Sequence, residues 1–297
     1  MEFVDLPVFY KNLDEKFFVT NGELESATYT NVDSNFVFSA KYARHRWFNY
    51  KEGFSPILVE KLFDEYGLNE KSVVCDPFCG AGTTLAVAKT KGMHSIGFEV
   101  NPFAAFITKI KTENYEKSDI DEFKKLLINL GKKKKCEELP LTDNDYLNRI
   151  FESEMLNVQL NIRKYISDIA QGKARDLLFF AWICTLEECS LYRKAGNGLK
   201  IKKNAPAYKT GEAFQFAYEK IQKKADSMIE DYSAEDNGPI PALYVDSVTT
   251  MKDKVPDKSV DFVLFSPPYD YFEILKIMIL IIIKMNEEFC LKDSNGK

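Results

Sequence analysis

The sequence predicts an α/β fold in which a parallel sheet, covered by helices on both faces, is interrupted by a long helical insertion. Three observations carry that expectation. Short apolar runs at 73–74, 94–98, 242–245 and 260–265 each end at an acid or a serine, the pattern of buried strands whose carboxyl ends carry polar groups. Glycines punctuate the step from the first of these runs into a helix, as strand, tight loop and helix require. The middle third keeps the helical period and lacks alternation. At 297 residues and 45% hydrophobic, the chain suffices for one large domain or two small ones.

Taken in order, residues 1–38 are polar and aromatic, with turn signals at Asn21-Gly22 and Asn31 to Ser34, and read as an extended segment lying on the domain. Lys41 to Pro56 interleaves Arg44, His45 and Arg46 with Tyr42, Trp47, Phe48 and Tyr50. Two readings stay open there: a surface that stacks a base or grips phosphates, and an aromatic packing flap. Ser55 before Pro56 starts a helix with Ile57, Leu58, Leu62 and Phe63 on one face.

Val73 and Val74 lead into Asp76-Pro77-Phe78-Cys79-Gly80-Ala81-Gly82-Thr83-Thr84, and a helix follows from Thr83. Gly80 and Gly82 let the backbone turn sharply and let a ligand approach where a Cβ would collide. The helix start aims unpaired N–H groups at the same place, which suits a polar or anionic group. The next strand ends at Glu99, about 20 residues beyond the turn, the offset at which a carboxylate meets ribose hydroxyls. A plain αβ turn with a helix-capping acid is the other reading of these letters. Because the loop departs from Gly-x-Gly-x-x-Gly, a nicotinamide site is not expected. Asn101-Pro102 then opens a helix to Lys111, and Phe103 on it reads as an adenine neighbour or as core.

From 115 to 235 amphipathic helices dominate, first with Phe123, Leu126, Leu127 and Leu130 on one face, then over 146–169 and 174–192. Arg193, Lys194, Lys200, Lys202 and Lys203 cluster around Gly196-Asn197-Gly198. In a chain of net charge −5 this is the best candidate for phosphate contact. A glycine-capped, cation-rich helix end gives the same letters. The chain then returns to strands, one buried and ending at Asp246, another running from Val260 to Phe265 into Ser266-Pro267-Pro268-Tyr269.

The glycine turn and the double-proline tetrapeptide, in this order and each at a strand end, resemble the paired motifs of the S-adenosylmethionine-dependent amino-methyltransferases of nucleic acids. That family makes N4-methylcytosine and N6-methyladenine. The resemblance implies a Rossmann-like methyltransferase sheet, S-adenosyl-L-methionine as cofactor and DNA as partner. It implies that Asp76, Pro77, Phe78, Gly80, Gly82 and Thr83 shape the cofactor pocket, that Glu99 holds the ribose hydroxyls, that Asp246 holds the adenine amino group, and that Phe54, Ser55 and Pro56 close the methionine end. Catalysis falls to Ser266, Pro267, Pro268 and Tyr269: hydroxyl and carbonyl oxygens for the amino hydrogens, prolines to stiffen the loop, and a ring for a base taken out of the stack. A leading serine is typical of cytosine N4 enzymes, so cytosine N4 is expected before adenine N6, in a restriction-modification setting. An RNA enzyme acting on tRNA is the alternative with a related loop, and a cofactor-binding chain without catalysis is the alternative from another class.

The resemblance divides the chain into a cofactor-binding half with an N-terminal flap (1–114), a helical insertion serving as target-recognition element (115–235) and a return to the sheet (236–297). After Tyr269 only 28 residues follow, where the family adds roughly three more strands. The sheet is therefore expected to be incomplete at its C-terminal side. The explanations are a second chain that supplies the missing strands, a truncated remnant, or a compact variant whose last strand is 272–280. The six cysteines lack metal-type pairing and read as reduced thiols of a cytoplasmic protein. No metal is expected, the start is acidic where a signal peptide is basic, and the apolar run 277–283 is too short to span a membrane.

Overall fold

The structure, a computed structural model, describes residues 41–48, 50, 53, 55–133, 136–138, 145–195, 198–204, 206–232 and 238–266. Phe54, Pro267, Pro268 and Tyr269 lie outside these residues, as do the expected extended segment at 1–38 and the expected strand at 272–280. In chain order the elements are α1 (Pro56–Glu65), β1 (Val73–Asp76), α2 (Thr83–Thr90), β2 (His94–Phe98) and α3 (Pro102–Thr112), followed by the helical unit. That unit comprises α4 (Lys117–Gly131), α5 (Asp145–Ile150), α6 (Ser153–Ser167), α7 (Lys173–Cys189), the hairpin β3 (Tyr192–Ala195) and β4 (Gly198–Ile201), and α8 (Ala213–Glu230). The chain then returns through β5 (Ala242–Tyr244), α9 (Met251–Lys254) and β6 (Phe262–Val263).

The fold is α/β, with a four-stranded sheet in the order β5-β2-β1-β6. All its pairings are parallel, with Cys75 opposite Ile96 on one side and opposite Val263 on the other. Alternation along β1 sends successive side chains to opposite faces. Val74 packs with Val59, Phe63, Val87 and Met93 of the α1–α2 layer. Cys75 packs with Phe98, Val248, Met251 and Val255 on the other. Helices thus cover both faces, as a parallel sheet requires. The strand expected to be buried at 242–246 is shorter and partly exposed. Among the described residues it stands at the sheet's edge, beyond β2, with no strand on its other side.

The helical unit has a larger core of its own, and that core takes in Ile107 and Ile110 of α3 and Trp47 from before the sheet. Residues 44–47 are held there by one carboxylate. Asp231, at the C-terminal end of α8, accepts from the Arg44 N–H (2.9 Å), Arg46 Nε (3.1 Å) and Nη2 (2.5 Å), and Trp47 Nε1 (2.7 Å). The Arg44 guanidinium turns the other way and caps α3, donating to the carbonyls of Lys111 (3.0 Å) and Glu113 (2.7 Å). Of the two readings of this stretch, the packing flap describes Arg44, His45, Arg46 and Trp47: His45 and Trp47 are buried and both arginines are spent on internal acceptors.

Candidate functional site

The carboxyl edge of the sheet collects the strand-end residues. Asp76 is buried, and its carboxylate accepts the Thr84 hydroxyl (2.6 Å) and the Phe78 N–H (3.1 Å), tying the start of the loop to the first turn of α2. Burial pushes its carboxyl up to about 7, against the opposing pull of these two donors. An acid whose folded pKa lies above its unfolded value binds more protons when folded, so its contribution to stability declines as pH rises from about 4 to about 7. Asp76→Asn keeps an acceptor for Thr84 and removes the titration. The melting-temperature difference between wild type and Asp76→Asn, measured from pH 4.5 to 8, is expected to shift against the wild type until about pH 7 and then level off.

The loop itself closes through Gly82 N–H to the Cys79 carbonyl (2.6 Å) and Cys79 N–H to the Phe98 carbonyl (3.0 Å). Gly80 and Gly82 have φ of 51° and 75°, a region that side chains resist. A Cβ at Gly82 would come within 2.6 Å of Thr108, and one at Gly80 within 3.1 Å of the Tyr50 ring. Neighbouring side chains already occupy the space that a Cβ at either glycine would take. Tyr50 beside the turn escaped sequence reasoning, which saw only one aromatic among several.

Glu99, just beyond β2, accepts the Gly80 N–H through Oε2 (2.9 Å) and the Asn101 N–H through Oε1 (2.8 Å). It therefore braces the loop as well as standing at the strand end. Asn101 in turn caps α3. Asp246 follows β5, with Oδ2 bonded to the Lys254 ammonium and Oδ1 accepting the Ser247 N–H (2.7 Å). Both donors, Lys254 foremost, hold its carboxyl below the usual range. Beside these acids two valines are left in solvent, Val100 at 68% and Val245 at 59% exposure. The Glu99 N–H to Tyr244 carbonyl bond (3.0 Å) holds the two strand ends side by side. Apolar surface next to paired acids suits the faces and edge of a purine. The signal in the sequence was an apolar residue adjoining each strand-end acid.

β6 brings the second motif to the same edge. The Leu264 N–H donates to the Cys75 carbonyl (3.0 Å), and the Phe265 ring lies 6.2 Å from that of Phe78. Ser266, half-buried, follows directly, so the tetrapeptide departs beside the turn that begins at Asp76. Ser55 is buried and caps α1, its Oγ accepting the Ile57 N–H (3.2 Å), and Pro56 is the first residue of that helix. A Cβ at Gly53 would meet the Thr83 hydroxyl at 3.7 Å. Phe103 is not core: its exposed ring meets Phe48 edge-on at 5.6 Å.

The basic cluster forms the β3–β4 hairpin, so the glycine-capped helix reading fails; α7 ends at Cys189 with Ser190 as its cap. Arg193 and Lys200 lie directly opposite each other and, like Lys203, are exposed. Lys202 departs from the expected phosphate role. Its ammonium donates to the carbonyls of Glu187 (2.5 Å), Glu188 (3.2 Å) and Ser190 (2.8 Å), satisfying the end of α7. Lys194 belongs to β3, opposite Leu199.

Burial pushes the Cys75 thiol up to about 12 and the Cys79 thiol well above its usual value. Neither is a ready nucleophile. Among the described residues no group of His, Cys, Asp or Glu could hold a metal ion, and no helix is long and apolar enough to cross a membrane.

Residues 23–110 match the sequence model of a DNA methylase family. The chain is 28% identical over 254 residues to the Type II methyltransferase M.BsoBI of Geobacillus stearothermophilus, covering 76% of this chain and 49% of that protein. It is 30% identical over 167 residues to the Type II methyltransferase M.AvaI of Nostoc sp. strain PCC 7120, covering 54% of this chain and 34% of the relative. It is 29% identical over 175 residues to the Type II methyltransferase M.MjaII of Methanocaldococcus jannaschii, covering 59% and 27%. The chain thus spans about half the length of the first of these relatives and about a third and a quarter of the others. No solved structure matches.

Proposed function

We propose that this chain is an S-adenosylmethionine-dependent DNA amino-methyltransferase of restriction-modification type, acting on cytosine N4 in preference to adenine N6. The observation that carries the reading is the parallel pairing of β1 with β6, which aligns the ends from which the glycine turn and the Ser-Pro-Pro-Tyr tetrapeptide depart. The DNA methylase match and the Type II methyltransferase relatives support the same class.

The residues present fit the cofactor. Gly80 and Gly82 hold the loop in a left-handed turn, with Tyr50 and Thr108 packed where a Cβ would lie, and the helix start that follows suits a polar or anionic group. Asp76, Pro77, Phe78 and Thr83 shape the pocket walls, Glu99 takes the ribose hydroxyls, Asp246 takes the adenine amino group, Val100 and Val245 take the ring, and Phe54, Ser55 and Pro56 close the far end. Bound S-adenosylmethionine supplies a methyl group activated by its sulfonium.

The exocyclic amine is a poor nucleophile because its lone pair is delocalised into the ring. Ser266 Oγ and the Pro267 carbonyl accept its two hydrogens, which returns electron density to the nitrogen and orients it for in-line attack. Pro268 stiffens that turn, and Tyr269 stacks on the extruded base.

The helical unit, 115–235, serves target recognition in this reading. Like charges directly opposite on paired strands are destabilising, and Arg193 opposite Lys200 is such a pair. A phosphate backbone relieves it, with Lys203 extending the contact and Lys202 holding the hairpin to α7. For the double variant Arg193→Ala/Lys200→Ala, the slope of log K against log salt for duplex DNA is expected to shrink by about one per cation removed. Fluorescence anisotropy reads this, with S-adenosylmethionine affinity unchanged.

Transfer of tritiated methyl from S-adenosylmethionine to duplex DNA, with tRNA in parallel, tests the function. Label in DNA recovered as N4-methylcytosine is expected. Label in tRNA alone, or at the cytosine ring carbon, refutes the assignment, and cofactor binding without transfer to either nucleic acid supports a non-catalytic chain.

A further inference from the structure

Two polar side chains of α3, one turn apart, face away from water and toward the glycine turn. Thr108 and Lys111 are both buried. Thr108 Oγ1 donates to the Gly80 carbonyl at 2.8 Å, and Lys111 Nζ donates to the Ala81 carbonyl at 2.9 Å. The Thr108 side chain also fills the space that a Cβ on Gly82 would need. The end of α3 that carries Lys111 is fixed by the Arg44 guanidinium on the Lys111 and Glu113 carbonyls.

A buried ammonium is costly and persists where it has a partner. Here burial brings Lys111 down to about 8, and its recorded partner is the carbonyl of a loop residue. A helix that only packed on the loop would do so more cheaply with apolar groups, such as the Ile107 and Ile110 that the same helix gives to the core of the helical unit.

We infer that Thr108 and Lys111 are positioning residues for the methyl-donor loop, holding two consecutive carbonyls inward so that the Ala81 amide and the opening turn of α2 face a ligand's amino-acid carboxylate. This rests on the cofactor reading above. The peptide between Gly80 and Ala81 is trans, so its N–H points opposite to the carbonyl that Thr108 holds. The Gly80 and Gly82 amides are committed to Glu99 and to the Cys79 carbonyl. The Ala81 N–H and the opening turn of α2 therefore form the electropositive side of the loop, and the Lys111 ammonium stands behind it with a full charge.

The test compares S-adenosylhomocysteine, which has the amino-acid tail, with 5′-methylthioadenosine, which lacks it, by calorimetry on the full chain. Thr108→Val keeps the shape against Gly82 and removes the donor; Thr108→Ser keeps the donor; Lys111→Met keeps length and removes charge. Thr108→Val and Lys111→Met are expected to weaken S-adenosylhomocysteine roughly 10- to 100-fold while methylthioadenosine binds as to the wild type. Thr108→Ser restores the tailed ligand to within about threefold. Unchanged S-adenosylhomocysteine affinity in Thr108→Val, or equal loss of both ligands, overturns the inference and leaves the cofactor site standing. If Lys111→Met does not fold, the Thr108 pair decides. Failure of the wild type to bind either ligand refutes the cofactor reading itself.

Discussion

Replacing Ser266 with alanine is expected to lower methyl transfer by about 10²–10³-fold while S-adenosylmethionine affinity stays within about twofold. The hydroxyl is one of two acceptors proposed to localise the amine lone pair, an interaction that strengthens as the nitrogen becomes tetrahedral. Removing it acts on the transition state more than on either bound ligand. Ser266 directly follows Phe265, whose ring packs near Phe78, and that contact is untouched by the change. Tyr269→Ala is expected to lose transfer similarly, through loss of the stacking platform. Single-turnover transfer alongside calorimetric cofactor binding separates the two effects. Full activity in either variant removes the tetrapeptide from the mechanism, and a parallel fall in cofactor affinity reassigns Ser266 to the pocket.

Glu99→Ala is expected to produce the largest loss of cofactor affinity, about 10²–10³-fold. Its carboxylate has three tasks that fail together. One oxygen holds the Gly80 N–H and the other the Asn101 N–H; both are proposed to receive the ribose. Truncation leaves a loop amide without its acceptor and loosens the entry to α3. Glu99→Gln keeps one acceptor oxygen and exchanges the other for a donor, which clashes with one of the two amides, so it falls between wild type and alanine. Calorimetry with S-adenosylmethionine gives the ranking, and Glu99→Ala binding as tightly as wild type eliminates the assigned role.

Much of this architecture was legible in the letters because local chemistry decides it. Ser55-Pro56 and Asn101-Pro102 announce helix starts, and α1 and α3 begin there, with both side chains capping them. The glycine turn, the strand-end acids and the run into Ser266 follow from periodicity and sterics over a few residues. What stayed hidden depends on partners distant along the chain. Nothing near Arg46 indicates that Asp231 will neutralise it, so a stretch rich in cations and rings could be read as a phosphate grip. Lys202 looked like its basic neighbours, and only the hairpin's fold against α7 turns it inward. Thr108 and Lys111 look like an ordinary helix until its face meets the loop. β5 carried the letters of a buried strand, but sheet order put it at an edge.

The carboxylate of Asp231 has a bearing on which helical units this sheet can accept. Its donors Arg44, Arg46 and Trp47 lie before the sheet in the primary structure, whereas Asp231 ends the helical unit. A recombination event that imports a foreign helical unit would take the acid from the Arg46 guanidinium, the Arg44 amide and the Trp47 indole, leaving these donors unmatched where the two units join. Grafts should succeed when the crossover carries the 44–47 tract along, or when the donor unit also presents an acid at its last helix end.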